Sequence, residues 1–152
     1  MRAVLTRVRE ASVEIAGQTV GRIGQGYLIL LGVAPSDTPA VCRKLAEKCL
    51  SLRLFEDEAG KMNLGLEAVG GQVLVVSQFT LFGDTKKGRR PSFVRAAGPE
   101  LAVPLYEQFL SECAALGYPP QHGEFGADMQ VALVNEGPCT IIIDTDEWKK
   151  KE

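Results

Sequence analysis

The chain has 152 residues, of which 45% are apolar and 24% charged, and its formal net charge is −2. That length suits one domain over residues 1–152, large enough to bury a core without disulfides or metals. The totals argue against a membrane-spanning helix, because no stretch approaches the roughly 18 apolar residues such a span needs. They also argue against nucleic-acid binding through overall charge.

In chain order, "AVLTRVREASVEIAGQTVGRIG" alternates apolar and polar residues. It predicts a hairpin turning at "AGQ", with one face in water. The same segment carries charge throughout and does not read as a signal peptide, so the cytoplasm is the expected compartment. "GYLILLGVA" is uniformly apolar and predicts a strand buried on both faces. From Asp37 the period changes: Cys42, Leu45, Ala46 and Cys49 fall at i, i+3, i+4 and i+7, a helix stripe. Asp37 is the expected N-cap, with Pro39 an early helical residue. "SLRLFED" predicts a strand, "EDEAGKMN" a polar loop, and "GGQVLVVSQFTLF" a strand opened by two glycines.

A basic stretch follows. "KKGRRPSFVR", residues 86–95, holds Lys86, Lys87, Arg89, Arg90 and Arg95 with no acid among them, and Lys149 to Lys151 form a second cluster. Taken alone, these are a solvated loop and a tail. As function, the loop is a local phosphate-binding patch whose contribution falls with salt. After Gly98-Pro99, the spacing of Tyr106, Phe109, Leu110 and Cys113 predicts a second helix. Pro104 should lie in its first turn or kink it, and Gly117 with Pro119-Pro120 should end it. Strands at about 129–135 and 139–144 flank "NEGPCT", which reads as a hairpin turn. Strands, helix, strands, helix, strands, without strict alternation, predict a single α+β domain. Its sheets would be mostly antiparallel, barrel-like or two-layered, with two packed helices.

Cysteines stand at 42, 49, 113 and 139, with no C-x-x-C pair, and His122 is the one histidine. That spacing does not suit zinc, and the cysteines read as buried small apolar residues. No G-x-G-x-x-G or P-loop is present, so no metal or cofactor is expected. "SQFTL", residues 77–81, brings Ser77, Gln78 and Thr80 to the end of a buried strand. Hydroxyls there commonly bond to backbone. The chemical reading is a nucleophile in Ser77 or Thr80, or an oxyanion hole made of backbone N–H groups. A hydroxyl nucleophile needs a base within hydrogen-bond reach. His122 lies in a turn-like stretch after "YPPQ", and Lys86 and Lys87 are weak candidates. A site that works by positioning and backbone electrostatics fits these residues better.

"SQFTL" together with "NEGPCT" (135–140) resembles the motif pair of D-aminoacyl-tRNA deacylases of the bacterial and eukaryotic type. The second motif is usually N-x-G-P-V-T in that family, and Cys139 stands here where valine is usual. "MRAV" at the start, "KGRRPSF" after the first motif and the length extend the resemblance over nearly the whole chain. A related animal-specific deacylase has Pro before the Gln of the first motif; Ser77 fills that place here and favours the D-specific branch.

The resemblance implies hydrolysis of the ester between a D-amino acid and the terminal adenosine of tRNA, with glycyl-tRNA as a further substrate. It implies no metal, and a homodimer with active sites at the interface. It places Ser77, Gln78, Phe79 and Thr80 around the scissile ester and the terminal adenosine. It also implies a cis Gly137-Pro138 pair that reaches into the partner's pocket. Rigid carbonyls there would leave room for hydrogen and clash with an L side chain. Thr80 is the nucleophile suggested for the family. Lacking an evident base, the chain favours backbone N–H groups near Phe79 and Thr80 as carbonyl-oxygen donors, with attack by water helped by the adenosine's 2′-hydroxyl. Lys86, Lys87, Arg89 and Arg90 would meet acceptor-end phosphates. Two rivals are weighed beside this. A non-catalytic RNA-binding module needs stacking surfaces and a broader basic face, against 7% aromatics and the net charge of −2. An ordinary small-molecule esterase or amidase lacks its triad.

Overall fold

The computed structural model describes residues 1–149; Lys150 and Lys151 of the terminal basic cluster lie outside the described residues. Strand β1 (Arg2–Ile15) turns at Ala16 and Gly17, both at positive φ (50° and 79°), into β2 (Gln18–Ile23). Such left-handed pairs match the twist of a tight hairpin. The chain then forms β3 (Gly26–Gly32), antiparallel to β1. Strand β6 (Gln72–Ser77) lies parallel to β3, and the short β7 (Gln121–His122) parallel to β6. The last strand, β8 (Gln130–Asp144), pairs antiparallel with β1 over nearly its whole length. The result is a nearly closed mixed sheet in a single α+β unit.

Alternation sorts β3 onto two cores. Tyr27, Ile29 and Leu31 face helix α1 (Pro39–Ser51) and helix α3 (Pro99–Ala115), together with Leu5, Val73 and Val75. Leu28 packs on the other side with Val8, Val13, Ile23, Leu74 and Val76, inside the curl of the sheet. The expectation of a strand buried on both faces therefore holds. So does the first helix stripe, with Cys42, Leu45, Ala46 and Cys49 fully buried; in the second, Tyr106, Phe109 and Cys113 are buried and Leu110 only partly so. Gly117, at φ +96°, follows the last turn of α3 as expected.

Several boundaries differ from the sequence reading. Helix α1 runs to Ser51 and consumes the start of the predicted strand, which shrinks to β4 (Phe55–Glu56). The polar loop after it is a small hairpin closed by β5 (Met62–Leu64). A third helix, α2 (Leu66–Val69), joins the two expected ones. Pro104 lies beyond the first turn of α3, on its exposed side, and the helix runs on through it. "NEGPCT" is not a hairpin turn: it lies inside the single strand β8.

Asp37 is also not the N-cap of α1. Thr38 takes that place and accepts from the Val41 N–H at 3.3 Å. Asp37 is instead buried, with one carboxylate oxygen 2.7 Å from the Met1 ammonium and the other accepting from the Ala34 N–H at 2.7 Å. The same ammonium donates to Thr145 Oγ1 at 2.7 Å. This knot joins the start of β1, the entry to α1 and the end of β8. Removing one partner of a buried ion pair leaves the other charged and unpaired, at a cost of about 3–5 kcal/mol. Losing an exposed N-cap costs about 1 kcal/mol. Asp37→Ala should therefore lower the urea-unfolding free energy several times more than Thr38→Ala; equal losses would return Asp37 to the role of a mere cap.

Candidate functional site

Strands β3 and β6 are parallel, so their carboxyl ends lie side by side, with Leu31 opposite Ser77. The Gln78 N–H still donates to the Leu31 carbonyl at 2.8 Å. There the regular strand stops, and Phe79–Phe82 form a single 3-10 turn. The extended strand expected through Phe82 ends five residues early for a packing reason. Phe82 turns inward and is buried, while Phe79 and Thr80 are left exposed. The turn is closed by the Leu81 N–H to the Gln78 carbonyl and by the Gly83 N–H to the Thr80 carbonyl. The leading N–H groups of such a turn, here Phe79 and Thr80, have no partner within it. Phe79 lines a cleft of about 310 Å³ with Ser77, Gln78, Tyr106, Phe125, Asp128 and others, and Thr80 follows it in the turn.

Around this turn the acid–base side chains are few: Asp128 and Tyr106 line the cleft, and Tyr106 donates its hydroxyl to the Val75 carbonyl at 3.4 Å. Gln78 Nε2 donates to Thr80 Oγ1, so the hydroxyl oxygen is already engaged by an amide. His122 pairs with Val75 on β7 and lines a different groove, against Val20 and Leu110. Cys42, Cys49 and Cys113 are poor sources of thiolate. Burial pushes Cys42 and Cys113 up to about 12, and Cys49 upward as well. Among the described residues, no group of three or more His, Cys, Asp or Glu could hold a metal.

The basic loop springs from the same turn. Asp84 and Ser92 exchange backbone hydrogen bonds at 2.8 and 3.0 Å and close a hairpin that displays Lys86, Lys87, Arg89 and Arg90 in solvent. From below, Arg2 holds the turn. Its Nη1 donates to the Leu81 carbonyl at 2.9 Å, and its guanidinium lies 4.7 Å over the Phe82 ring. Its Nε pairs with Asp144 at 2.8 Å.

Gly137 and Pro138 sit elsewhere. Thr140 pairs with Thr6 and Asn135 with Val8, so four residues, Glu136 to Cys139, lie opposite the single Arg7. They leave the strand as a bulge, in which Gly137 and Pro138 are exposed, Cys139 is buried and the Gly137-Pro138 bond is cis. Three side chains shape it. Asn135 Nδ2 reaches across the base to Thr140 Oγ1 at 3.2 Å. A Cβ at Gly137 would run into Asn135 Oδ1. Buried Arg7 donates to the Glu136 carbonyl at 2.7 Å and to the Leu54 carbonyl at 2.6 Å. The structure thus gathers Ser77, Gln78, Phe79, Thr80 and the root of the basic hairpin. Within one chain it keeps Gly137 and Pro138 apart from them. Ser77 lies level with Ala3 of β1 through Leu31, and the bulge lies level with Arg7, about 13 Å further at about 3.3 Å per residue.

The sequence reading missed Arg2, Arg7, Asn135 and Thr140 as parts of this arrangement. Arg7 carried a readable signal: it stands in register with Ala3 and Leu5, on the face that alternation assigns to the core. Arg2 carried none, because its partners are 79 and 142 residues away.

The chain is similar to known proteins over nearly its whole length. The family model described as D-Tyr-tRNA(Tyr) deacylase matches residues 4–144. A D-aminoacyl-tRNA deacylase of Chloroflexus aurantiacus is 58% identical over 149 residues, covering 98% of this chain and 93% of that protein. One of Desulfatibacillum aliphaticivorans is 57% identical over 145 residues, covering 95% and 99%. The solved structure of a c-Myc DNA Unwinding Element Binding Protein superposes with a TM-score of 0.88 at 39% identity, over 95% of this chain and 98% of that one. A probable eukaryotic D-amino acid tRNA deacylase superposes with a TM-score of 0.80 at 18% identity, over 93% and 97%, and that likeness concerns the fold alone.

Burial alone would raise the Asp144 pKa, but the hydrogen bond from Arg2 and one from the Asp146 N–H outweigh it and hold the carboxyl below its usual value. A depressed folded-state pKa contributes stability that is present above the unfolded value of about 3.9 and is lost as pH falls through the folded one. Between pH 6 and pH 3 the wild type should therefore lose more unfolding free energy than Asp144→Asn, measured by urea denaturation at each pH.

Proposed function

This chain belongs to the D-Tyr-tRNA(Tyr) deacylase family, and from that premise we propose that it hydrolyses the ester of D-aminoacyl-tRNA, releasing the free D-amino acid and tRNA. The observation that carries the reading is the 3-10 turn after β6. It opens at a cleft beside a basic hairpin; the cleft's one carboxylate, Asp128, makes no hydrogen bond to the hydroxyl of Ser77 or Thr80. The terminal adenosine enters the cleft, and the N–H groups of Phe79 and Thr80 hold the ester carbonyl oxygen and the negative charge that grows on it. Water adds to the carbonyl carbon, the acyl–oxygen bond to the ribose breaks, and the proton leaves with the ribose oxygen, relayed by the neighbouring 2′-hydroxyl. Ser77 and Gln78 position the substrate. Thr80 Oγ1 accepts from Gln78 and serves the geometry of the turn, not attack on the ester. Because the chemistry is directed at backbone and substrate, neither metal nor cofactor is assigned a role.

Chirality is decided by Gly137 and Pro138 of a second copy. In support, the bulge projects into solvent and is bolted by Arg7 and Asn135. Strand β8 pairs only with β1 among the described residues, and exposes Leu133, Val134 and Ile142, the last at 72%. An apolar, half-paired strand carrying a rigid outward bulge is suited to meet its own copy, and the cleft of one chain lacks any such gate. Backbone carbonyls beside the substrate Cα would admit hydrogen and refuse an L side chain, and glycine, with none, would pass; glycyl-tRNA is therefore a second substrate. No described helix is long and apolar enough to cross a membrane, and the substrate places the work in the cytoplasm.

Incubated with D-tyrosyl- and L-tyrosyl-tRNA, the protein should cleave the D-ester at least a hundredfold faster, and Thr80→Ala should keep at least a tenth of that rate. Equal cleavage of both hands would indicate a general esterase. Cleavage of neither would leave an RNA-binding module, and a loss of many orders of magnitude in folded, tRNA-binding Thr80→Ala would restore Thr80 as nucleophile.

The basic hairpin is assigned to acceptor-end phosphates. Replacing Lys86, Lys87, Arg89 and Arg90 by Ala should reduce the slope of log binding constant against log salt by up to about 3, at roughly 0.7–0.9 per lost contact. An unchanged slope would show that the hairpin meets no phosphate.

A further inference from the structure

Phe79 and Phe93 form an exposed aromatic pair that the reaction above does not use. Phe79 begins the 3-10 turn and is 55% exposed; Phe93 follows the closing pair of the basic hairpin and is 38% exposed. Their rings meet edge to face, with centroids 5.2 Å apart. Large apolar rings in water cost free energy, and burial was within reach: Phe82, in the same turn, is buried. The pair is also held in place. The Phe93 ring lies over Gly83, where a Cβ would approach it to 3.3 Å and the Thr80 carbonyl to 3.1 Å, so a side chain there would crowd the ring against the turn. Between the two rings in sequence runs the hairpin closed by Asp84 and Ser92 that carries Lys86, Lys87, Arg89 and Arg90. The rings therefore mark the stem of a cationic loop, at the rim of the cleft that Phe79 also lines.

Flat apolar rings beside mobile cations are the surface that unpaired nucleotides need: bases stack on aromatic faces while phosphates meet Lys and Arg. We propose that Phe93, with Phe79, is the stacking platform for the unpaired nucleotide next to the terminal adenosine, and that the basic hairpin takes the phosphates preceding it. This deepens the proposed reaction and rests on it: the platform explains how a site with a small cleft distinguishes an aminoacylated RNA end from a free amino-acid ester. Phe93 touches neither the ester nor the water. It is a positioning residue that acts through the RNA strand.

Two substrates separate this from a structural role: D-tyrosyl-tRNA, and D-tyrosyl-adenosine, which lacks every nucleotide before the last. Phe93→Ala should lower kcat/KM on the tRNA roughly ten- to a hundredfold, the range that base–aromatic stacking spans. Most of that loss should appear in KM. On the nucleoside ester the change should stay within about threefold, and Phe93→Tyr should restore the tRNA rate. Equal losses on both substrates would mean that the ring only props the turn, and no loss on either would mean that it meets nothing. A change of oligomeric state on gel filtration would mean that it faces another copy. Each of these overturns the platform. Binding of the trinucleotide CpCpA, followed by fluorescence, tests it independently of catalysis. If wild type cleaves neither ester, the parent reading fails, and weaker CpCpA binding by Phe93→Ala would still support the platform, while unchanged binding would end it.

Discussion

Strands β1 and β8 are paired on both sides of a mismatch, and the architecture of the bulge follows from that constraint. Below the mismatch Arg2 to Thr6 face Asp144 to Thr140; above it Val8 faces Asn135, and Glu10 to Glu14 face Val134 to Gln130. Both ladders bring side chains to buried cores, so neither can slip by a residue without turning its apolar set outward. Four residues facing one must then leave the plane of the sheet. Which way they leave, and how firmly they are held, is decided by Arg7. Its guanidinium is buried without a carboxylate and is satisfied by carbonyls, one from the bulge and one from the segment between α1 and β4. A buried guanidinium that loses an acceptor is costly, so the bulge cannot drift while the core stays packed.

The same principle of holding backbone by distant charge recurs at the other motif. Arg2 grips the Leu81 carbonyl and the Phe82 ring, and is itself fixed by Asp144 at the far end of β8. One residue before it, Met1 is tied to Asp37 and Thr145. Strand β1 is thus the reference for both motifs: its first residues locate the turn after β6, and its middle locates the bulge. Neither motif contributes a strongly basic side chain to the cleft. What they contribute is backbone in defined places, which suits chemistry by electrostatic preorganisation and selection by exclusion.

How much of this was legible in the sequence depended on the range of the forces involved. The two helix stripes and the doubly buried β3 were readable because burial on one or both faces imposes a period on neighbouring residues. The motif residues Ser77 to Thr80 were readable as polar letters at a strand's end. "NEGPCT" was misread as a turn because Gly-Pro is the strongest local punctuation a chain has, and local rules assign it to a reversal. The chain does not reverse there because β1 continues on both sides, a partner more than a hundred residues away. Asp37 was misread for a similar reason. By local rules it is a good cap, but a buried ammonium binds it more strongly, and Thr38 can cap in its stead. The strand expected over residues 51–57 gave way to the last residue of α1 and a two-residue strand, where Leu50, Leu54 and Phe55 are buried by tertiary packing and not by alternation.

The separation of the two motifs within one chain has a physical logic of its own. A gate that works by excluding a side chain has to be stiffer than the substrate it rejects, and stiffness at a surface needs an anchor below. For the gate proposed at Gly137 and Pro138, the anchor is the core around Arg7. The backbone donors proposed to hold a carbonyl oxygen need an equally firm support, which the parallel ends of β3 and β6 supply. Both supports use β1, but at levels about four residues apart, so a single chain cannot present them face to face without breaking one ladder. In the proposed pairing, a second copy against the exposed strand would resolve the conflict without deforming either anchor. On that reading, the apolar residues that β8 leaves in water are the cost of building the gate and the catalytic turn on one rigid strand.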